Sequence, residues 1–85
     1  MKANYLYKKI AEDIFEICKT DGIVKVMYIE ICISEERRIS EKKLLNILLE
    51  EIPELVGLDT LIKINRQILD SIPFLILDVD GIIKE

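Results

Sequence analysis

From Leu6 to Cys18 the apolar residues recur at Leu6, Ile10, Ile14 and Ile17, with Tyr7, Ala11 and Cys18 beside them. Lys8, Lys9, Glu12, Asp13, Glu16 and Lys19 take the other side. Steps of three and four residues match the turn of an α-helix, so the segment predicts an amphipathic helix with one buried face. Gly22 stands where a helix stops, because glycine adopts the left-handed conformation without a Cβ penalty. The period then changes. Ile23 to Ile33 is rich in β-branched residues, and both alternating sets are largely apolar: Ile23, Lys25, Met27, Ile29, Ile31 and Ile33 on one, Val24, Val26, Tyr28, Glu30 and Cys32 on the other. A strand apolar on both faces predicts a place inside a sheet. Glu30 is the exception and is expected near a partly open face.

Ser34 to Ile39 reads as a short charged loop. Ser40 is placed to cap a second helix, with Glu41 in the first turn where the helix dipole favours an anion. Leu44, Leu45, Leu48, Leu49, Ile52, Leu55 and Val56 supply its apolar stripe. Pro53 lacks a backbone donor and should break it near Glu51, opening a short turn that Gly57 ends. Thr60 to Leu69 fits two periods. As a strand, Ile62, Ile64 and Ile68 share a face while Lys63, Asn65 and Gln67 meet water. As a helix capped by Asp59, Leu58, Leu61, Ile62, Asn65, Ile68, Leu69 and Ile72 form a stripe. Strand is preferred, because two strands alone would be a poor partner for two helices. Pro73 to Val79 is strand again, Asp80-Gly81 signals a turn, and Ile82 and Ile83 could return as a short final strand. The expectation is a single α+β domain over residues 1–85 in the order α-β-α-β-β. Two helices would pack on one face of a three- to four-stranded mixed or antiparallel sheet.

Composition narrows the function classes. Of 85 residues, 51% are hydrophobic and 33% charged, with three Tyr, two Phe and no Trp. That profile belongs to a folded domain with an aliphatic core rather than a disordered chain. Tyr5, Tyr7 and Tyr28 are too dispersed to stack bases and are expected at the core rim, with packed rings and wet hydroxyls. The formal charge of −4 and the scattered basic residues argue against a nucleic-acid partner. No apolar run approaches the ~20 residues of a membrane span. No signal-like segment precedes the first helix, so the expected compartment is the cytoplasm. Cys18 and Cys32 lack metal-site spacing, and the chain has no His, which leaves them as small buried hydrophobes.

One stretch carries a chemical signature. Phe74-Leu75-Ile76-Leu77-Asp78-Val79-Asp80-Gly81, an apolar strand ending in DxD, resembles the first motif of the haloacid dehalogenase-like phosphatases. The resemblance implies Asp78 as phosphoryl nucleophile and Asp80 as acid/base beside Mg²⁺. It covers eight residues. In that family the motif lies near the start of a long chain and a later Lys and further acidic groups complete the site, whereas here only Ile82-Ile83-Lys84-Glu85 follow Gly81, and the expectation is a site without that machinery. The same residues resemble half of an EF-hand loop, with Asp80 and Gly81 at its fifth and sixth positions. Ile76 then falls where the first acidic ligand belongs, and Glu85 arrives two residues early, which excludes the standard loop. An irregular Ca²⁺ site formed by Asp70, Asp78, Asp80 and Glu85 stays open as an alternative.

Without a glycine-rich phosphate loop or a histidine base, the leading expectation is a non-enzymatic binding or assembly domain, with a protein partner or a homo-oligomer. Ile39, Val56, Leu58, Ile82 and Ile83 lie near element ends. They either plug the core or mark that contact.

Overall fold

The computed structural model describes residues 2–84. Helix α1 (Lys2–Asp21) leads into strand β1 (Ile23–Ser34), helix α2 (Glu41–Glu51), strand β2 (Val56–Gln67) and strand β3 (Phe74–Ile83). The sheet order is β2-β1-β3, so the strand that is apolar on both faces is the central one. β1 runs parallel to β2 and antiparallel to β3, which makes the sheet mixed. Parallel neighbours need a crossover connection, and α2 lies within the one that joins β1 to β2.

One face of the sheet makes the core. α1 contributes Leu6, Tyr7, Ile10, Ala11, Ile14 and Cys18, and β1 contributes Ile23, Val26, Ile29, Ile31 and Ile33. Leu44 and Leu48 of α2 pack into the same cluster, which Ile39, Ile52, Leu55 and Val56 close. The flanking strands add Ile62, Ile64, Phe74, Ile76 and Val79 in partly buried positions. The stripe that sequence periodicity assigns to the first helix is thus the buried face of α1, although Ile17 is only half-buried.

The element ends follow from local chemistry. Gly22 has φ of +74°, the left-handed conformation expected after a helix. Ser40 caps α2: its hydroxyl accepts the Lys43 N–H at 3.1 Å. α2 stops at Glu51, two residues before Pro53.

Three local expectations need correction. Leu55 and Val56 are not helical; a turn intervenes and β2 begins at Val56, four residues before Thr60. The register explains the early start. Val26 pairs with Val56 and Tyr28 with Leu61, so β2 carries extra residues at this point. Thr60 fills the irregularity from a buried position. Its hydroxyl donates to the Val26 carbonyl at 2.7 Å and accepts the Gly57 N–H at 3.1 Å. Tyr7 is fully buried rather than rim-placed. Its hydroxyl accepts the Ser40 N–H at 3.1 Å, which satisfies a polar atom inside the core.

The third correction concerns Asp80-Gly81, which lies inside β3 rather than at a turn. Gly81 pairs with Val26, beside the register shift between Val26 and Tyr28. A Cβ on Gly81 would stand 1.9 Å from the Lys25 carbonyl oxygen. The glycine is there because two backbones approach closely at a bulge, which is a use of glycine within strands.

Candidate functional site

The face of the sheet turned away from the helices is open, and its side chains follow from the register. On β1 it carries half-buried Tyr28 and Glu30 and buried Cys32 and Ser34, the residues alternating with core-facing Ile29, Ile31 and Ile33. Opposite them on β2 stand Leu61, Lys63, Asn65 and Gln67. On β3 the partners of Cys32, Glu30 and Tyr28 are Leu75, Asp78 and Asp80.

Glu30 is the centre of this face. Its carboxylate accepts the Asn65 side-chain amide at 2.8 Å and the Tyr28 hydroxyl at 3.2 Å. Lys63 is its cross-strand partner on β2 and Asp78 its partner on β3. The Asn65 hydrogen bond, partly opposed by desolvation and helped by Tyr28 and Lys63, holds the Glu30 carboxyl below its ordinary range. Desolvation, the hydrogen bond to Glu30 and the charges of Glu30 and Asp78 push the Tyr28 hydroxyl up. The two directions agree: the network favours the ionised form of Glu30 and the protonated form of Tyr28.

The Glu30 shift has a pH signature. A carboxyl whose folded-state value lies below its unfolded value contributes stability that is fully present above the unfolded value of about 4.5. That stability is lost as pH falls through the folded value. Wild-type protein should therefore lose stability more steeply than Glu30→Gln as pH drops below about 4.5, measured by urea midpoints from pH 7 to 2.5. Parallel acid limbs would remove Glu30 from this role.

The sequence-derived acidic set is spread along the sheet. Asp78 and Asp80 both stand on the open face of β3. The Asp80 carboxylate accepts the Gly81 N–H at 2.9 Å. Asp70 lies in the connection between β2 and β3, near the end where Phe74 pairs with Ile33. Glu85 lies outside the described residues. Among the described residues no three or more acidic or cysteine side chains are gathered to hold a metal ion.

The two edges of the sheet differ. At the β2 edge, the Glu41 carboxylate from α2 accepts the Ile64 N–H at 3.4 Å. The Arg66 guanidinium ties the Arg37 and Ile39 carbonyls to the end of the same strand. β3 is the opposite edge, and among the described residues no strand pairs with its outer side. Leu75, Leu77, Ile82 and Ile83 are each about half exposed there. A groove of about 320 Å³ runs between this edge and α1, lined by Asp13, Glu16, Ile17, Phe74, Leu75 and Ile76.

The five aliphatic residues singled out in the sequence divide accordingly. Ile39 and Val56 are core residues at 2% and 4% exposure, whereas Leu58, Ile82 and Ile83 are exposed. Sequence reasoning missed the Tyr28–Glu30–Asn65 network and the groove beside β3. The alternation around Glu30 was visible, but its partner on β2 depends on a register that the irregularity before Leu61 displaces. No family model, curated protein or solved structure matches the chain.

Proposed function

We propose that this is a non-enzymatic binding domain whose working surface is the free β3 edge and the adjoining open face. The observation that carries this reading is the contrast between edges. An unpaired row of backbone donors and acceptors is a template for another strand, and proteins commonly blunt it with charged side chains, proline, β-bulges or a covering segment. The β2 edge is partly covered in that way. β3 contains no Lys or Pro and, among the described residues, has no covering segment; it carries one extra residue, at Leu77, and two aspartates, and its exposed leucines and isoleucines accompany the free edge. Burial of that apolar surface would supply binding energy beyond the backbone hydrogen bonds.

A site-specific photocrosslinker tests this reading in cells that produce the protein. Placed at Leu77, it should give discrete adducts. Placed at Asn46, on the exposed side of α2, it should give none. Equal labelling from both positions would refute an edge-directed function.

The same reading assigns the domain to a reducing compartment such as the cytoplasm. Cys18 and Cys32 are free and buried, the first in the core and the second among the open-face residues of β1. Burial, reinforced by the charge of Asp21, pushes the Cys18 thiol up, so it is protonated and inert at neutral pH. Protein isolated without reductant should show two titratable thiols after denaturation and almost none before it. Absence of thiols in the denatured sample would contradict the assignment. No helix among the described residues is long and apolar enough to cross a membrane.

A further inference from the structure

Resting on the edge-docking reading, we infer that the occupant of the β3 edge is an extended segment of another protein in which lysine or arginine alternates with apolar residues. Each side of the edge specifies one half of that pattern. A strand added beside β3 continues the sheet, so its side chains alternate between the helix-covered side and the open side.

On the helix side, the added strand would run along the groove between β3 and α1. The floor there is apolar, formed by Ile17, Phe74 and Ile76. Small or medium aliphatic side chains fit such a site, and their burial supplies the non-directional part of the affinity. Its lip is acidic, with Asp13 and Glu16, each already engaged by a lysine of its own helix at 3.3 and 3.6 Å.

On the open side, the added strand would meet Asp78 and Asp80. Both are exposed, and neither has an ion-pair partner among the described residues. β3 itself contains no basic residue to neutralise them. Opposite charges directly across a strand pair are favourable and like charges unfavourable, so these two positions select cationic side chains.

The same aspartates argue against a second copy of this chain. In a two-fold antiparallel pair of β3 strands, the registers that overlap nearly the whole strand are centred on Asp78 or Val79. The first sets Asp78 against Asp78 of the other copy, and the second sets Asp78 against its Asp80. β3 carries an extra residue at Leu77, which breaks its side-chain alternation and adds a mismatch of sides to any full-length self-pairing. Asp78 and Asp80 thus discourage self-pairing while favouring a basic partner, which is specificity obtained from a repulsive element.

The test uses the full chain and two blocked nine-residue peptides, one alternating Val with Lys and the other Val with Glu. The Val/Lys peptide should bind saturably, protect β3 amides from hydrogen exchange and weaken as salt rises. Asp78→Lys combined with Asp80→Lys should weaken it by at least about tenfold and should admit the Val/Glu peptide. Asp78→Asn with Asp80→Asn should fall between, and separates lost attraction from added repulsion. Equal binding of both peptides by wild-type protein would keep the docking edge and overturn the basic partner. So would sedimentation of the wild type as a dimer whose β3 amides are protected. Failure of both peptides to protect β3 at millimolar concentration would overturn both the partner and the docking edge.

Discussion

Ile14→Ala is expected to destabilise the domain by about 2–5 kcal/mol, the range for removing a large buried aliphatic side chain. Ile14 is completely buried on the inner face of α1, in the same cluster as Ile29 and Ile31 of the central strand and Leu44 and Leu48 of α2. Its truncation removes transfer free energy and leaves a cavity, because elements packed from several directions cannot collapse onto the gap. Small domains have total stabilities of only about 5–15 kcal/mol, so the loss should appear as a large shift in the urea midpoint. Glu12→Ala on the exposed side of the same helix should shift it little, since surface substitutions usually stay within about 0.5 kcal/mol. An unchanged midpoint for Ile14→Ala would contradict the packing of α1 on the sheet.

Gly81→Ala should be the other costly substitution, although it adds only one methyl group. The new Cβ would meet the Lys25 carbonyl oxygen at 1.9 Å, with the Lys25 carbonyl carbon at 2.9 Å and the Val26 Cα at 3.0 Å. All three obstacles are backbone atoms of the central strand, so no flexible side chain can move aside. Overpacking typically costs about 1–3 kcal/mol and occasionally more, and a backbone collision belongs at the upper end. The strands must separate locally, which threatens the pairing of Val26 with Gly81 and the neighbouring pair of Tyr28 with Asp80. Gly22→Ala is the instructive comparison. Its φ of +74° imposes conformational strain, but the nearest atom to a new Cβ is an Ile83 methyl at 3.9 Å. Thermal melts should therefore rank Gly81→Ala below Gly22→Ala. The opposite order would exclude the close approach at the bulge.

These two glycines also mark how far local sequence reasoning reaches. Gly22 follows a periodic helical segment, and the residues before it suffice to identify its role. Gly81 follows an aspartate, and Asp-Gly is a strong turn signal in isolation. Its role depends on Lys25, a residue more than fifty positions away, and on a strand pairing that brings that carbonyl against it. β2 differs in the same way. The strand reading of Ile62 and Ile64 against Lys63 and Asn65 agrees with the structure, while Ile68 lies beyond the strand and is exposed. The early start at Val56 depends on an irregular register that the Thr60 hydroxyl supports.

The candidate site was partly legible. Glu30 interrupts an apolar strand, which predicts an open face, and that face exists. Asp78 and Asp80 attract notice as a pair of carboxylates, but their significance changes once they are placed on an edge strand. A DxD motif in sequence suggests catalysis or metal binding. The same two side chains beside a free edge suggest selection of a basic strand.

By itself the sequence determined the α+β class, the order of the elements, the buried face of α1, the central position of β1 and the cap of α2. Each rests on periodicity or on chemistry within a few residues, where backbone geometry dictates the outcome. Only the tertiary structure decided that β1 is parallel to β2 and antiparallel to β3, that Ile39 and Val56 are core while Leu58 and Ile82 are not, and which edge remains free. Those outcomes depend on register and on contacts between distant segments, and a hydrophobic residue carries the same local signal whether a neighbouring element covers it or leaves it exposed.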